Sequence, residues 1–295
     1  MIAIRGTTRF VALLGDPVAH SLSPAMHNAA FARHGLNFAY VPLRVRPADV
    51  KAALEGLRAL GFRGANVTLP HKQAVLPHLD AVSEISRLMG VVNTLTIEDG
   101  RIMGTTTDPH GFLEGFREAG HDFAGKSVAV LGNGGSARTI AFALALEGRP
   151  ARVLLAGRDV EKSHRLIGEI GSKLGEGAAR TLEAVALADY GAAADGVQVV
   201  VNATPIGMHP DTEVSPIPAN ALRPGQVVHD IVYVPEKTRL LRDAEALGLP
   251  TVGGLGMLVH QGRASFRLWT GIEPDASIFH EAARSGLVAR SAGES

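Results

Sequence analysis

Apolar runs of strand length alternate with longer segments of helical period along almost the whole chain, and this alternation constrains the fold more than any other feature. A strand, a helix and a second strand in succession let the two strands pair in parallel, so the series predicts an α/β protein with mainly parallel sheets. Two such series are visible. The first predicts a strand at 10–14, a helix opening at Ser23-Pro24, a strand at 37–45, a helix at 47–60 and a strand at 65–69. Helical segments follow over 71–89, then a hairpin from Val91 with its turn at Asp99-Gly100. In the second series SVAVLG and RVLLAG read as buried strands, TIAFALALEG and DVEKSHRLIGEIGSK as helices, and 197–203 and 226–232 as further strands. The alanine- and glycine-rich stretch 175–196 has no clear period. Helices at 256–269 and 274–285 come after the second series has closed, so they are expected to return to the first domain. This gives one domain of residues 1–107 with 254–295 and another of 108–253.

A length of 295 residues agrees with two domains at about 150 residues each. Lysine plus arginine (29) balance aspartate plus glutamate (29), so no chain-wide positive field exists for nucleic acid or an anionic membrane, and anions must be recognised locally. With no cysteine there is no disulfide, thiolate nucleophile or Cys-ligated metal. The twelve histidines include no H-E-x-x-H; His20 and His27, like His71 and His78, are seven apart, and no protein-bound metal is expected. No 18-residue apolar run occurs and the opening MIAIRGTTRF lacks an apolar leader core. A cytoplasmic protein without a membrane span is therefore expected. Either a monomer or a homodimer is compatible with this composition.

The sharpest local motif is VAVLGNGGSAR, where strand residues lead through Gly132, Gly134 and Ala137 into a helix. This is the G-x-G-x-x-G/A turn of dinucleotide-binding units in its required setting. Gly132 permits the tight turn, Gly134 lets backbone amides approach a pyrophosphate, and Ala137 allows close helix packing, with the helix N-terminus facing the anion. At the end of the next strand stands Arg158, with Lys162 one helical turn on. Two cations there suit the extra 2′-phosphate of NADP, while Asp159 between them either takes a ribose hydroxyl or caps the helix.

In GDPVAHSLSPAMHN, Ser23 before Pro24 reads as a helix N-cap with proline at the first helical position. Ser21 adds a second hydroxyl, and two hydroxyls at a helix N-terminus make a seat for a carboxylate. NVTLPHK follows a buried strand; Asn66 and Thr68 at alternate positions share one strand face, and Lys72 stands just beyond. A lone lysine is ordinarily a solvated charge, and the polar pair beside it argues for more. VVNTL carries Asn93, and GTTTDPHG carries Asp108.

Taken in order from 15 to 262, GDPVAHSLSPAMHN, NVTLPHK, VVNT, TTDPHG, GNGGSAR, NATPIGM, DIVYVPEKTRLL and GLGMLVHQG resemble the shikimate dehydrogenase family. The resemblance implies an α/β substrate domain, a Rossmann-like NADP domain with NAD as a possible substitute, and an active site in the cleft between them. It implies reversible reduction of 3-dehydroshikimate to shikimate; relatives acting on quinate or another analogue, and non-catalytic sensing modules, are the alternatives. By the family's pattern Ser21 and Ser23 hold the substrate carboxylate. Asn66, Thr68, Asn93, Asp108 and Gln261 bind ring hydroxyls, Tyr233 lines the pocket, and Lys72 with Asp108 is the catalytic pair. Gly132, Asn133, Gly134, Gly135, Ser136 and Ala137 are assigned to the pyrophosphate, Arg158 and its neighbours to the adenosine phosphate, and Ile231 and Gly254 to the nicotinamide end. Two triplets depart from the family's usual form: Thr106-Thr107-Asp108 stands where Asn-Thr-Asp is usual, and Gly157-Arg158-Asp159 where Asn-Arg-Thr is usual.

Reducing a ring ketone places negative charge on its oxygen as hydride reaches carbon, so the site needs a proton donor about 3 Å from that oxygen. Lys72 can serve as its ammonium, a form the Asp108 carboxylate favours. Oxidation asks for the neutral amine, and its rate is expected to rise toward alkaline pH.

Overall fold

The computed structural model describes residues 4–291, so 1–3 and 292–295 of the expected first domain lie outside it. The chain divides into two compact units, Met1–Gly111 with Val259–Ser295, and Phe112–Leu258. The divisions fall inside the helices Asp108–Glu118 and Leu255–Thr270.

In the first unit lie β1 (Arg9–Gly15), β2 (Phe38–Arg44), β3 (Gly64–Val67), β4 (Ala81–Val82), β5 (Thr94–Glu98) and β6 (Arg101–Thr105), forming one sheet in the order β2-β1-β3-β5-β6-β4. β1 pairs parallel with β2 and β3. β5, however, is antiparallel to both β3 and β6, so this sheet is mixed where a mainly parallel one is predicted. The hairpin accounts for the β5–β6 pair: Asp99 (φ 49°) and Gly100 (φ 72°) form a two-residue turn that can only return the chain antiparallel.

The helical segments predicted over 71–89 form only in part. The chain makes turns, a single 3₁₀ turn at Leu76–His78 containing Pro77, the short β4, and only then a helix, Glu84–Met89. The Ser83 hydroxyl accepts from the Ser86 amide at 3.3 Å and starts that helix afresh. Upstream, the His71 ring reaches the Val45 carbonyl at 2.6 Å, which fixes the turn before Lys72.

One face of this sheet is covered by an aliphatic cluster that includes Leu14, Leu54, Leu57, Val67, Leu95 and Ile102. An aromatic cluster joins helices Ser23–Arg33, Leu255–Thr270 and Ala276–Ser291. The last of these packs on the first, so both C-terminal helices contribute to this unit. Trp269 donates its indole N–H to the Leu95 carbonyl at 2.8 Å, and a Cβ on Gly64 would stand 2.4 Å from that same indole nitrogen. Glycine at 64 is what lets the tryptophan reach the strand.

The second unit holds β7 (Ser127–Leu131), β8 (Arg152–Gly157), β9 (Leu182–Ala186), β10 (Val199–Asn202), β11 (Val227–Asp230) and β12 (Thr251–Val252). They form a wholly parallel sheet in the order β12-β11-β10-β7-β8-β9. Counted from β7, this is the 3-2-1-4-5-6 order of a doubly wound dinucleotide fold. Its strands are near-continuous apolar runs, as a sheet covered on both faces requires. The stretch 175–196, without a clear period in sequence, contains Glu176–Ala179 as a short helix, then β9, then Tyr190–Ala193 as another. No helix among the described residues is long and apolar enough to cross a membrane.

Candidate active site

In the first unit the ends of β3, β5 and β6 and the start of the helix Asp108–Glu118 bring a set of polar side chains together. Val67 N–H donates to the Asn93 carbonyl, Asn93 N–H to the Thr105 carbonyl, and Val92 N–H to the Lys72 carbonyl, so three separate segments are locked by main chain. Lys72 Nζ then lies 2.6 Å from Asp108 Oδ2. The carboxylate is nearly buried, with 10% of its side chain exposed against 28% for the lysine. Its other oxygen, Oδ1, accepts from Asn93 Nδ2 at 2.7 Å, and its position in the first helical turn adds the favourable end of the helix dipole.

Asn93 is in turn held from both ends. Its Oδ1 accepts from the Thr107 amide at 2.8 Å and the Thr94 hydroxyl at 2.9 Å, while its Nδ2 also faces Thr107 Oγ1 at 3.0 Å and Gln261 Oε1 at 3.4 Å. Support for Asp108 thus comes from Asn93 and Thr107. The Thr106 hydroxyl, at the place where asparagine is usual, is buried without a hydrogen-bond partner among the described residues. Asn66 forms the second node: its Nδ2 lies within 3.2 Å of the Asn93 carbonyl, Thr94 Oγ1 and Ser265 Oγ, and its Oδ1 accepts from Tyr40 at 2.9 Å.

β3 ends at Val67, but the Thr68 amide still donates to the Leu14 carbonyl at 2.8 Å, and the Thr68 methyl lies over Gly15, where a Cβ would stand 2.3 Å from it. The capping expected of Ser23 differs. Leu22 occupies the cap position, and the Ser21 oxygen accepts from the Ser23 amide at 3.2 Å. With proline at 24 lacking an N–H, the Ser23 amide is the donor within reach of a hydroxyl two residues back. Ser23 itself is buried and faces the Tyr40 phenol.

The second unit carries the glycine-rich turn between β7 and the helix Gly135–Ala143. Gly132 has φ +113°, and a Cβ there would lie 2.9 Å from Thr204 Cγ2, so both conformation and crowding require glycine. A Cβ on Gly134 or Gly135 would meet nothing within 4 Å, and both glycines are exposed, as is Ser136; Ala137 is fully buried beneath. Asn133 turns its side chain to the next loop, donating to the Asp159 carbonyl at 2.6 Å. A Cβ on Gly157 would lie 2.1 Å from that same Asn133 nitrogen, which accounts for glycine in place of the usual asparagine at 157.

Asp159 caps the helix Val160–Leu174 by accepting from the Lys162 amide at 3.1 Å. Arg158 precedes this cap, outside the helix, so the one-turn spacing to Lys162 does not apply. Both cations are exposed, and neither side chain has a hydrogen bond or ion pair among the described residues. A cavity of about 670 Å³ opens beside Arg158 between Leu187, Tyr190 and Ile217. Ile231 follows β11, and Gly254 is pressed against it: a Cβ at 254 would stand 2.2 Å from the Ile231 oxygen. Tyr233 lies two residues further on in the same unit, partly exposed.

Sequence reading missed a buried polar network that holds this loop. Asp230, at the end of β11, accepts from Asn202 Nδ2 at 3.0 Å, the Val232 amide at 2.9 Å and the Thr238 hydroxyl at 2.7 Å. Burial raises its carboxyl above the ordinary value against the pull of those three donors. Asn202 Oδ1 accepts from both the Thr204 amide and hydroxyl, and so shapes the segment facing Gly132. Tyr40, Thr94, Thr107 and Ser265 are the corresponding omissions in the first unit. An apolar strand that ends in asparagine or aspartate, as β10 and β11 do, is the signal that marks Asn202 and Asp230.

Comparison with known proteins places this geometry. The family model of the shikimate dehydrogenase substrate binding domain matches residues 13–95, and that of the shikimate 5′-dehydrogenase C-terminal domain matches 254–284. The NADP(+) shikimate dehydrogenase of Moorella thermoacetica is 46% identical over 294 residues, covering 99% of this chain and 98% of its own. Among solved structures, shikimate 5-dehydrogenase of Thermus thermophilus, in complex with NADP(H) and shikimate, has a TM-score of 0.84 and 39% identity, with 95% of this chain and 100% of that one covered. That of Listeria monocytogenes, in complex with shikimate and NAD, has a TM-score of 0.87 and 35% identity, with 94% and 97% covered. With sequence similarity spanning nearly every residue and two sheets arranged as described, the chain belongs to the shikimate dehydrogenase family.

Proposed function

We propose that this protein catalyses the reversible, NADP-dependent reduction of 3-dehydroshikimate to shikimate. The observation that carries the reading is the Lys72 to Asp108 contact of 2.6 Å, held by Asn93 inside the unit that matches the substrate binding domain. The first unit takes the ring acid and the second the nucleotide. Ser21 and Ser23, at the opening turn of the helix Ser23–Arg33, seat the carboxylate. Asn66, Asn93, Thr68 and Gln261 contact ring hydroxyls, and Tyr233 is assigned to the same ligand.

The residues of the second unit fit a dinucleotide phosphate. Gly134 and Gly135 leave open space before a helix N-terminus whose first amides have no side-chain cap, and backbone N–H groups there bind an anion. Arg158, exposed and without an acidic partner among the described residues, takes the adenosine phosphate. Bound NADPH supplies the hydride. Lys72 Nζ delivers the proton to the carbonyl oxygen, and Asp108, 2.6 Å away, orients that amine toward it. Asn93, engaged with Asp108, Thr107 and Gln261 at once, prevents the carboxylate from swinging away. The serine seat supplies orientation and no chemistry. We read the protein as cytoplasmic, acting as a monomer or homodimer without nucleic acid, in keeping with its zero net charge and absent cysteine.

The test is spectrophotometric: purified protein, shikimate and NADP are mixed and reduced nicotinamide is followed by its absorbance. Turnover with shikimate and NADP is the expected result. Parallel runs with quinate and with NAD rank the alternatives, and no reduction with either acid and either nucleotide overturns the reading.

A further inference from the structure

One buried side chain outside the described chemistry is fixed at every point. Tyr40 is 2% exposed and sits on β2, at the edge of the sheet. Its backbone N–H donates to Asn28 Oδ1 at 2.8 Å, and its carbonyl accepts from Asn28 Nδ2 at 3.0 Å, so a side-chain amide completes the strand's outer edge. Its ring stacks on His27 with centroids 4.6 Å apart and planes within 8°, and lies against Trp269. An aromatic ring serving only as core needs none of this precision at its hydroxyl. Yet that hydroxyl donates to Asn66 Oδ1 at 2.9 Å and faces the Ser23 hydroxyl.

The hydrogen-bond inventory of Asn66 shows what this does. Its two N–H donors are committed to the Asn93 carbonyl, Thr94 and Ser265. Its oxygen has two lone pairs, of which Tyr40 takes one. One acceptor direction is left, aimed by the other three contacts. Desolvation pushes the phenol's pKa well up, so the donating proton stays in place across the working pH range.

We propose that Tyr40 is a positioning residue for the ring-acid site, its hydroxyl holding Asn66 Oδ1 and so aiming the remaining lone pair of that oxygen at a ring hydroxyl of the substrate. Tyr40 itself touches no substrate and acts through Asn66. The inference rests on the functional reading above, because it needs a ligand with a ring hydroxyl. Loss of one buried hydrogen bond that leaves a polar partner unsatisfied is worth about tenfold in binding.

The experiment compares Tyr40→Phe, which keeps the ring stack, with Asn66→Ala and the double variant. Tyr40→Phe should raise the KM and calorimetric Kd for shikimate about tenfold, leave kcat within about threefold, and leave NADP binding unchanged. The double variant should bind shikimate no more weakly than Asn66→Ala alone. A purely structural tyrosine would lower the melting temperature and leave the KM alone, and that result, or losses that add in the double variant, overturns the inference. A second readout is independent of turnover: the Asn66 side-chain amide protons, assigned by their loss in Asn66→Ala, should shift and exchange about tenfold faster or more in Tyr40→Phe. If the wild-type protein neither binds nor oxidises shikimate, the functional reading fails and this amide signal alone decides, an unmoved pair overturning the positioning role.

Discussion

Acid should destabilise the second unit through one buried side chain, and the size of the effect follows from the burial of His229. This histidine lies on β11 with no solvent exposure, stacked with Phe112 and with Phe116 at centroid distances of 5.3 Å and planes within 11°. Neither ring nitrogen has a hydrogen-bond partner among the described residues. Desolvation, with a smaller push from nearby His121, lowers its pKa from 6.5 to about 3. The folded state therefore holds the ring neutral while the unfolded chain protonates it. Stability from this source is fully present above pH 6.5 and is lost progressively as pH falls from 6.5 toward 3. At about pH 4.5 the unfolded chain has gained roughly two pH units of proton binding that the folded unit refuses, a loss of about 2.7 kcal/mol at about 1.36 kcal/mol per unit. His229→Leu keeps the volume and removes the titration. At about pH 7.5 the variant should be less stable by about 1 kcal/mol because the ring stack is gone. Urea unfolding at about 25 °C, followed by circular dichroism at about pH 7.5 and 4.5, should then show the order reversed, the variant losing about 2.7 kcal/mol less between the two values. Parallel pH dependences in the two proteins would refute the argument, because they would mean that water or a partner reaches the ring in the folded unit.

Replacing Lys72 by alanine removes the proposed proton donor and leaves Asp108 with only Asn93, so kcat should fall roughly 10²- to 10⁴-fold with the NADP dissociation constant unchanged, as stopped-flow and fluorescence titration would measure. Gly254→Ala places a Cβ 2.2 Å from the Ile231 oxygen and 2.8 Å from the Val232 oxygen, backbone atoms that cannot rotate aside, so it should cost about 2 kcal/mol or more in urea unfolding and raise the KM for NADP. Gly134→Ala, meeting nothing within 4 Å, should unfold within about 1 kcal/mol of wild type, and an equal loss in both variants would show that crowding at 254 is not the cause.

What the sequence makes legible and what it conceals divide along a physical line. Asn66 and Asn93 stand out because polar side chains beside apolar runs are costly to bury without partners, whereas a lone lysine reads as a solvated charge and the pairing of Lys72 with Asp108 comes from the family resemblance alone. Gly132 stands out because a positive φ admits few other residues. The partners themselves do not announce their roles. Ser265 reaches Asn66 from 199 residues away and Tyr40 from 26, and neither distance has a period that marks contact. Local rules failed where a distant group overrode them. Ser23 has the sequence of an N-cap, but its hydroxyl is buried facing Tyr40 and the capping bond goes to Ser21. Residues 71–89 carry a helical pattern, but the turn after β3 is tied by His71 to Val45 and by Lys72 to Val92, and those bonds hold the lysine beside Asp108. A helix beginning at 71 would commit the Lys72 carbonyl to an amide four residues on and lose its bond to Val92. The helical propensity of that segment is therefore opposed by the same contacts that bring Lys72 and Asp108 together, which is where local and global preference are expected to part.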